Sequence, residues 1–551
     1  MASCTVLDAA DTRYHVVRTA ATALGWLVVE GPAAAAAEVP AAYYGHPTHA
    51  ADGAAAPAHV LWLDRSVAAG RVSALQPWQR VNHFAGMDCV ARKAVLFKRL
   101  MAVARLCRSG LAEADAPPGR GATGLRGASV GAGGLRALLD AVCSMAPDSY
   151  SIPAELPLLE RQARAAAAGA GGDAPFYIVK PNKGCQGRGI VLTQRPAEVL
   201  RELLAAAGRE ADGYLVQAYV DRPLLIEGKK FDLRLYALLL SVRAPAKTAS
   251  LRERLQPLPQ EGSAAADSSP SAQRPVPAAL QGVELYLHQE GLVRICAAPY
   301  ETPTAANSAC GSVHLTNYAV NRQSPQFSID TSGHDDSGAR AAAAAGDAGV
   351  SEGNKRDLRF MASFLNERDP ALWARVWRRL CSCVALTVLS GVDVLQREMA
   401  GAGALRQHRG DGMGCFELLG FDVMLREADA YTPVLMEVNH SPSLFCGTSV
   451  DFAIKQHVLT DTLRLVGSRM PDPSQYADGA QYARCMTQQA SRMRKQTHAL
   501  LSNREVRFTE VLPHYRVFSE SGTEEPSLLD DWSTEERAQQ VGMVELSKLV
   551  R

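Results

Sequence analysis

Asp422, Glu437 and Asn439 have the side-chain types and spacing of a divalent-cation site. They fall in two apolar runs, CFELLGFDVML (415–425) and PVLMEVNH (433–440), which read as paired strands joined by a polar turn. Alternate side chains of a strand share a face, so Glu437 and Asn439 point the same way. Asp422 is within reach on the preceding strand. Three oxygens from adjacent strands suit Mg²⁺, which shares its shell with nucleotide phosphates. The plainer alternative is two half-buried strands with polar outer faces. Against it, EVNHSP crowds a carboxylate, an amide and an imidazole where strand preference disfavours them.

A second cluster is KPNKGCQGRGI (180–190). Lys180 ends the apolar run FYIV, and Gly184, Gly187 and Gly189 follow. Glycines allow backbone N–H groups close to phosphate oxygens, and a strand-end lysine can neutralise phosphate charge. The run lacks the GK[ST] ending of a Walker A loop, and taken alone it is equally a tight hairpin. In KKFDLRLYALLL (229–240), Lys230, Asp232 and Arg234 alternate with Phe231, Leu233 and Leu235. This pattern fits an edge strand with a solvated, self-paired face, or a charged floor under a nucleotide and an acidic substrate. Arg294 can grip a carboxylate with two N–H groups and is the residue best suited to a free amino acid. Thr316–Asn317 and Lys355–Arg356 add polar and cationic groups.

The elements that must carry these groups are partly legible. Residues 14–29 switch from helical spacing (Val17, Ala20, Ala21, Leu24) to a strand after Gly25, which puts the start of folded structure near residue 12. Residues 60–64 read as a strand and 75–107 as helix. Short β-rich runs fill 176–180, 189–194, 213–220, 230–242 and 282–295. Helices are expected over 373–389 and roughly 450–466, and basic helical residues (Arg484, Arg492, Arg494, Lys495, Arg504, Arg507) lie beyond 480. The tail ends acidic at Glu524, Glu525, Asp530 and Asp531. Low-complexity tracts at 31–58, 112–134, 243–281 and 331–352 offer few large apolar groups and read as insertions. The expected units are 12–165, 170–330, 353–470 and a basic-then-acidic extension, 480–551.

Composition bounds the partners. The 551 residues carry 58 Lys+Arg against 57 Asp+Glu, net +1, so any polyanion must meet a local patch, and nucleic acid is not expected. No run of 18 apolar residues occurs, so no membrane span is expected. The first residues do not read as a secretory signal. Twelve scattered Cys form neither CxxC nor zinc spacing and read as reduced cytosolic thiols.

Taken in order, FYIVKPNKGCQGRGI, VQAYVDRPLLIEGKKFDLRLY, HLTNYAVNR and CFELLGFDVML with PVLMEVNHSPSL resemble the tubulin tyrosine ligase-like family. RVNHFAGMDCVARKAVLF (80–97) resembles a segment of that family's N-terminal region, and the likeness spans about 12–466. It implies an α/β (α+β) fold: an ATP-grasp catalytic unit behind a small N-terminal α/β domain, with a helical C-terminal extension. The family pattern puts ATP phosphates on Lys180, Gln186 and Gly187. It makes Gln217, Ala218, Tyr219 and Val220 the hinge against adenine, and adds Lys230, Phe231, Asp232, Thr316 and Asn317 to the nucleotide site. Mg²⁺ falls to Asp422, Glu437 and Asn439. Arg294, Tyr318, Lys355 and Lys455 match positions binding the incoming amino acid, and Gln186 and His440 lie beside the acceptor. Lys180, Lys230, Asp232 and Arg234 form the catalytic set.

GCQGRGI with EVNHSP resembles the polyglutamylase branch that lengthens glutamate chains, and Cys185 is typical of that branch. The implied reaction is ATP-dependent amide formation between free L-glutamate and glutamates of tubulin C-terminal tails through an acyl phosphate. Glycine or tyrosine addition, or a silent microtubule-binding protein, are the alternatives. The implied setting is a monomer in the cytoplasm on the cytoskeleton, extending to cilium, flagellum or basal body. The stretch 484–507 is either a microtubule contact or a helix packed on the core. Ala319 and Arg322 depart from the family's common hydroxyl and lysine, and Arg356 competes with Lys355 for the donor position.

Overall fold

The computed structural model describes residues 5–30, 58–67, 72, 75–114, 131–169, 174–182, 187–207, 213–243, 280, 282–328, 353–401, 414–427, 430–472, 475–476, 478–512 and 533–550. Gln186, Cys185, most of 243–281, all of 331–352 and the acidic residues 524–531 lie outside them.

The chain opens with β1 (Val6–Asp8), α1 (His15–Ala23), β2 (Leu27–Val29), β3 (Val60–Leu61) and β4 (Arg80–Val81), a parallel sheet of order β2-β1-β3-β4. α1 buries Val16, Val17, Ala20 and Ala21, the stripe its spacing implies, and Gly25 ends it at φ +72°. β1 lies ahead of residue 12, where folded structure was expected to begin. Three residues are too few to display a period.

The single helix expected over 75–107 is replaced by β4, a turn, α2 (Asp88–Ala91) and α3 (Lys93–Ala114). Long-range pairing outcompetes local spacing here. Val81 donates to the Gly414 carbonyl and Phe416 donates back to Val81, while the Asn82 amide brackets Leu63 through both its N–H and C=O.

α4 (Ala132–Met145) leads into a second layer made of β5 (Ser149–Ile152), α5 (Leu156–Gly169), β6 (Tyr177–Pro181), β7 (Val191–Thr193), α6 (Pro196–Ala207) and β8 (Tyr214–Ala218). Its antiparallel sheet has the order β5-β8-β6-β7, with a small core of Tyr150, Ile152, Leu159, Tyr177, Val179, Leu200 and Val216.

The largest sheet follows from β9 (Leu225–Ile226), β10 (Lys229–Val242), β11 (Val283–Ile295), short helices α7 (Gly311–His314) and α8 (Tyr318–Asn321), β12 (Lys355–Asp357), α9 (Leu358–Asn366), α10 (Leu372–Leu389), α11 (Val392–Gly401), β13 (Glu417–Arg426) and β14 (Thr432–Asn439). The order is β12-β11-β10-β13-β14, and β9 pairs with β10. β10 is therefore central, not the edge strand its alternating charges suggested. Its leucines explain why: Leu233, Leu235, Ala237 and Leu239 enter one core, while Tyr236, Leu238 and Leu240 enter the other. A strand buried on both faces reads as a near-continuous apolar run.

α12 (Ser449–Ser468) covers one face of this sheet, and α13 (Gly479–Ser502), β15 (Phe508–Leu512) and α14 (Thr534–Ser547) complete the chain. The expected extension is part of the fold. β15 pairs antiparallel with β11, and Met543, Val544 and Leu546 of α14 join the largest core. Tyr482, Met486 and Met493 of α13 pack with Trp78. No single helix among the described residues is long and apolar enough to cross a membrane. Every described cysteine is a free thiol.

Candidate active site

A cleft between the second layer and the large sheet encloses about 850 Å³, its open mouth included. Lys180, Gly187, Gln217–Val220, Lys230, Asp232, Thr316, Asn317, Asp422 and Glu437 all line it. The glycine run, the strand-end lysine and the two carboxylates, 235 or more residues apart along the chain, thus face one space. Asn439 is not a lining residue, but its amide N–H reaches Glu437 Oε1 at 3.3 Å.

The lysines are the unusual members. Lys180 is 6% exposed and Lys230 3% exposed, and no ion pair with a carboxylate is found for either among the described residues. Lys180 Nζ donates to Gln217 Oε1 at 2.6 Å, and the Gln217 amide in turn donates to Ser149. Lys230 Nζ donates to the Tyr219 hydroxyl at 3.0 Å and lies over that ring at 4.3 Å. Burial pushes both ammonium groups down to about 8. A buried cation with neutral partners costs free energy unless an anion joins it.

The floor of the cleft is organised differently. In the large sheet Asp232 is opposite Arg294, Arg234 is opposite Asp422, and Asp422 is opposite Glu437. The sheet register thus sets the charges side by side across four strands. Arg294 grips Asp232 with two bonds of 2.6 Å and reaches Asp422 at 2.9 Å. Arg234 grips Asp422 at 2.5 and 3.0 Å. Thr316 donates its hydroxyl to Asp232. Burial opposes a charge on Asp422, yet the Arg234 and Arg294 guanidiniums hold its carboxyl well below the usual range. Arg294 and Arg234 are therefore structural partners of the floor carboxylates, whatever else they touch. The charges of β10 are paired across strands rather than within the strand.

The oxygen set fits a hard cation. Asp422 and Glu437 present carboxylates from neighbouring strands. The Asn439 amide nitrogen bonds Glu437 and Gly420, while its oxygen has no partner among the described residues. Lys93 Nζ lies 2.9 Å from Glu437 Oε2 and supplies the counter-charge. Sequence reasoning missed Lys93, although it falls inside the stretch 80–97 whose resemblance was noted. A lysine opening an amphipathic helix carries no mark of chemistry by itself.

The hinge residues are less free than a strand end implies. The Ala218 N–H bonds the Asp148 carbonyl and the Tyr219 N–H bonds Phe176. The Tyr219 carbonyl and Val220 N–H are the groups left without a partner among the described residues. They sit beside Ile178, Ile190, Leu315, Met424 and Met436, an apolar slot. Gly187 holds φ +78°, and a Cβ there would lie 2.8 Å from Val320 Cγ2 and 3.2 Å from Asn317 Oδ1. The glycine loop is thus packed directly on the 317–320 turn.

The remaining expected residues lie at two margins. Lys355 is opposite Arg294 in the sheet, and its Nζ sits 4.2 Å over the Tyr318 ring. Arg356 points elsewhere, to Glu227 at 2.7 Å and the Phe360 ring. Lys355 and Lys455 converge on Asp451, at 2.5 and 3.1 Å. His440 contacts Ser66 and lies edge-on to His83 at 6.3 Å, at the seam with the N-terminal sheet. The His440 imidazole is pushed below its ordinary value by burial and by His83.

A profile of the tubulin-tyrosine ligase family matches residues 72–245 and 278–475. Among curated relatives, the chain is 25% identical over 407 residues to "Tubulin polyglutamylase ttll6" of Danio rerio, covering 74% of this chain and 38% of that protein. It is 26% identical over 413 residues to "Tubulin polyglutamylase TTLL13" of Mus musculus, at 74% and 38% coverage. To "Probable beta-tubulin polyglutamylase" of Tetrahymena thermophila it is 25% identical over 408 residues, at 74% and 25%. The match thus spans well under half the length of each of these relatives. The profile covers both sheets that wall the cleft and the helices that carry its margins, and the chain belongs to the tubulin-tyrosine ligase family.

Proposed function

We propose that the cleft binds ATP with Mg²⁺ and that the chain is an ATP-dependent ligase joining free L-glutamate to glutamate side chains of tubulin tails. The observation that carries this reading is the pair of buried lysines, Lys180 and Lys230, that form no ion pair among the described residues and face a cleft floored by Asp422 and Glu437. A polyphosphate satisfies both ammonium groups at once, and adenine fits the apolar slot with the Tyr219 carbonyl and Val220 N–H at its edge. The names of the relatives support a polyglutamylase over a glycine or tyrosine ligase.

A carboxylate is a poor electrophile, and phosphorylating the acceptor makes an acyl phosphate that an amine can attack. Lys180 and Lys230 would hold the transferring phosphoryl group and offset its charge in a site that already excludes water from their ammonium ends. Asp422, Glu437 and Asn439 would hold Mg²⁺, which when bound neutralises phosphate charge as a Lewis acid. Arg234 and Arg294 keep Asp422 ionised and oriented. Lys93 holds Glu437 in place before the site is loaded. Holding amine and acyl phosphate together contributes up to roughly 7–11 kcal/mol to such reactions. Arg294, Tyr318, Lys355 and Lys455 surround the donor side, and His440 the acceptor side.

The acidic acceptor needs a local cationic surface. α13 contains no Asp or Glu, and Arg484, Arg492 and Lys495 are exposed on it. This helix is the proposed contact for the tail-bearing microtubule surface, and that contact should weaken as salt rises.

The deciding experiment incubates the chain with purified tubulin, ATP and each of labelled glutamate, glycine and tyrosine. Incorporation of glutamate alone is expected. Incorporation of glycine or tyrosine reassigns the donor, and binding to microtubules with no incorporation leaves a silent binding protein.

A further inference from the structure

Asp451 is a buried carboxylate whose role is not visible in the residue pattern alone. It is 1% exposed and sits at the first turn of α12, where its backbone N–H is capped by Thr448. Its two oxygens meet two lysines from different elements. Lys355 of β12 reaches Oδ2 at 2.5 Å, and Lys455, one turn further along α12, reaches Oδ1 at 3.1 Å. The Gly447 N–H also donates to Oδ2, at 3.3 Å. Lys455 additionally donates to the Phe445 carbonyl. One carboxylate therefore ties β12, the 445–447 loop and α12 together.

The charge count is informative. On the floor, Arg234 and Arg294 are balanced by Asp232 and Asp422. At this margin two ammonium groups share one carboxylate, which leaves a single surplus positive charge. Without Asp451, two lysines held near one point would repel, and one of them would release its proton more readily. Among the described residues, the other groups facing the trio are the Tyr318 ring under Lys355, the Cys446 thiol, the Tyr236 phenol of β10 and Arg294 beyond it. Burial raises both the thiol, to about 11, and the phenol, so neither offers a competing negative charge near neutral pH.

We propose that Asp451 is a positioning residue that holds Lys355 and Lys455 together and aims them at the carboxylate of the incoming amino acid. This rests on the donor-side reading above. The carboxylate forms no bond to the ligand. It sets the direction of two ammonium groups at the donor margin, and it keeps the local surplus at one charge, matched to one carboxylate.

The test is direct binding of glutamate, glycine and tyrosine to the full chain with a non-hydrolysable ATP analogue and Mg²⁺, by calorimetry from pH 6.5 to 9.5. Whichever amino acid binds the wild type is then used with Asp451→Asn, Asp451→Ser and Asp451→Glu. The wild type should hold its affinity within about twofold up to pH 9. Asp451→Asn should bind at least tenfold more weakly at pH 9 than at pH 7, and Asp451→Glu should restore the flat profile. Nucleotide affinity and melting temperature serve as controls for folding, and Asp451→Ser, which keeps an acceptor for Gly447, substitutes if the amide variant does not fold. Parallel pH profiles in wild type and variant overturn the proposal, because a purely structural role lowers affinity without adding a titration. Glycine or tyrosine binding in place of glutamate discards the donor assignment while still reading Asp451. Binding of none of the three overturns both.

Discussion

The floor and the wall of the cleft solve opposite electrostatic problems. On the floor, Asp232, Arg294, Asp422 and Arg234 neutralise one another through five close contacts across three strands. On the wall, Lys180 and Lys230 are equally buried, but their hydrogen bonds go to a glutamine and a tyrosine, and the nearby Glu437 and Asp232 attract them without forming an ion pair among the described residues. The arginine and aspartate charges of the floor balance one another without a ligand, whereas the wall's charges are balanced by one. A self-paired network holds geometry, and unpaired buried cations store the free energy that a polyanion releases. The two regions should therefore respond differently to the same kind of perturbation.

The largest expected effect is on the floor. Arg294→Ala leaves Asp232 buried against Thr316 alone and removes one of two guanidiniums from Asp422. Breaking a buried pair by deleting one partner typically destabilises by about 3–5 kcal/mol. Urea unfolding should show a loss of that order, with nucleotide and amino-acid affinities falling together. An unchanged midpoint would mean the floor does not hold itself together, and the contrast with the wall would dissolve.

Next in size is Glu437→Gln, at the boundary between the regions. Glu437 is partly exposed and its contacts are Lys93 and Asn439, so the fold should tolerate the amide. Loss of one charged oxygen opposite the phosphates should lower glutamate incorporation by roughly 10²–10³-fold, the usual cost of removing one electrostatic partner of a transition state. Substantial remaining activity with an unchanged melting temperature would remove Glu437 from the proposed cation set.

Much of this contrast was legible in the sequence, and the part that was not has a physical reason. Alternation along 230–242, 283–295 and 417–439 exposed the strands and the side on which the charges lie, because strand periodicity is a local property. The same alternation could not say that β10 is central, since partners on the two sides come from segments 41–64 and 178–190 residues away. Lys93 and Asp451 were invisible for the same reason. Each is a single charged residue on a helix, and only the folded chain reveals that one meets Glu437 and the other two lysines. The C-terminal strand β15 was hidden in a stretch whose basic residues suggested a separate arm, although Arg507 in fact pairs with Glu290 and Asp461 of the folded core.

The smallest effect is also the most specific to the wall. Both lysines titrate near 8 in the folded chain against an ordinary value of 10.5. Between those values the unfolded chain binds protons that the folded chain has lost, so stability should rise with pH across that window, by at most about 1.4 kcal/mol per pH unit for each lysine. Below pH 8 both states are protonated and this contribution to the slope vanishes. ATP should reverse the logic: phosphate beside the ammonium groups raises their folded values toward the ordinary one and flattens the slope. Denaturant titrations from pH 7.5 to 10, with and without nucleotide, read this directly. Lys180→Met should remove about half of the ligand-free slope while abolishing the nucleotide's influence on the rest. A slope that ATP leaves untouched would place the phosphates away from these lysines, and the wall would then be as self-sufficient as the floor.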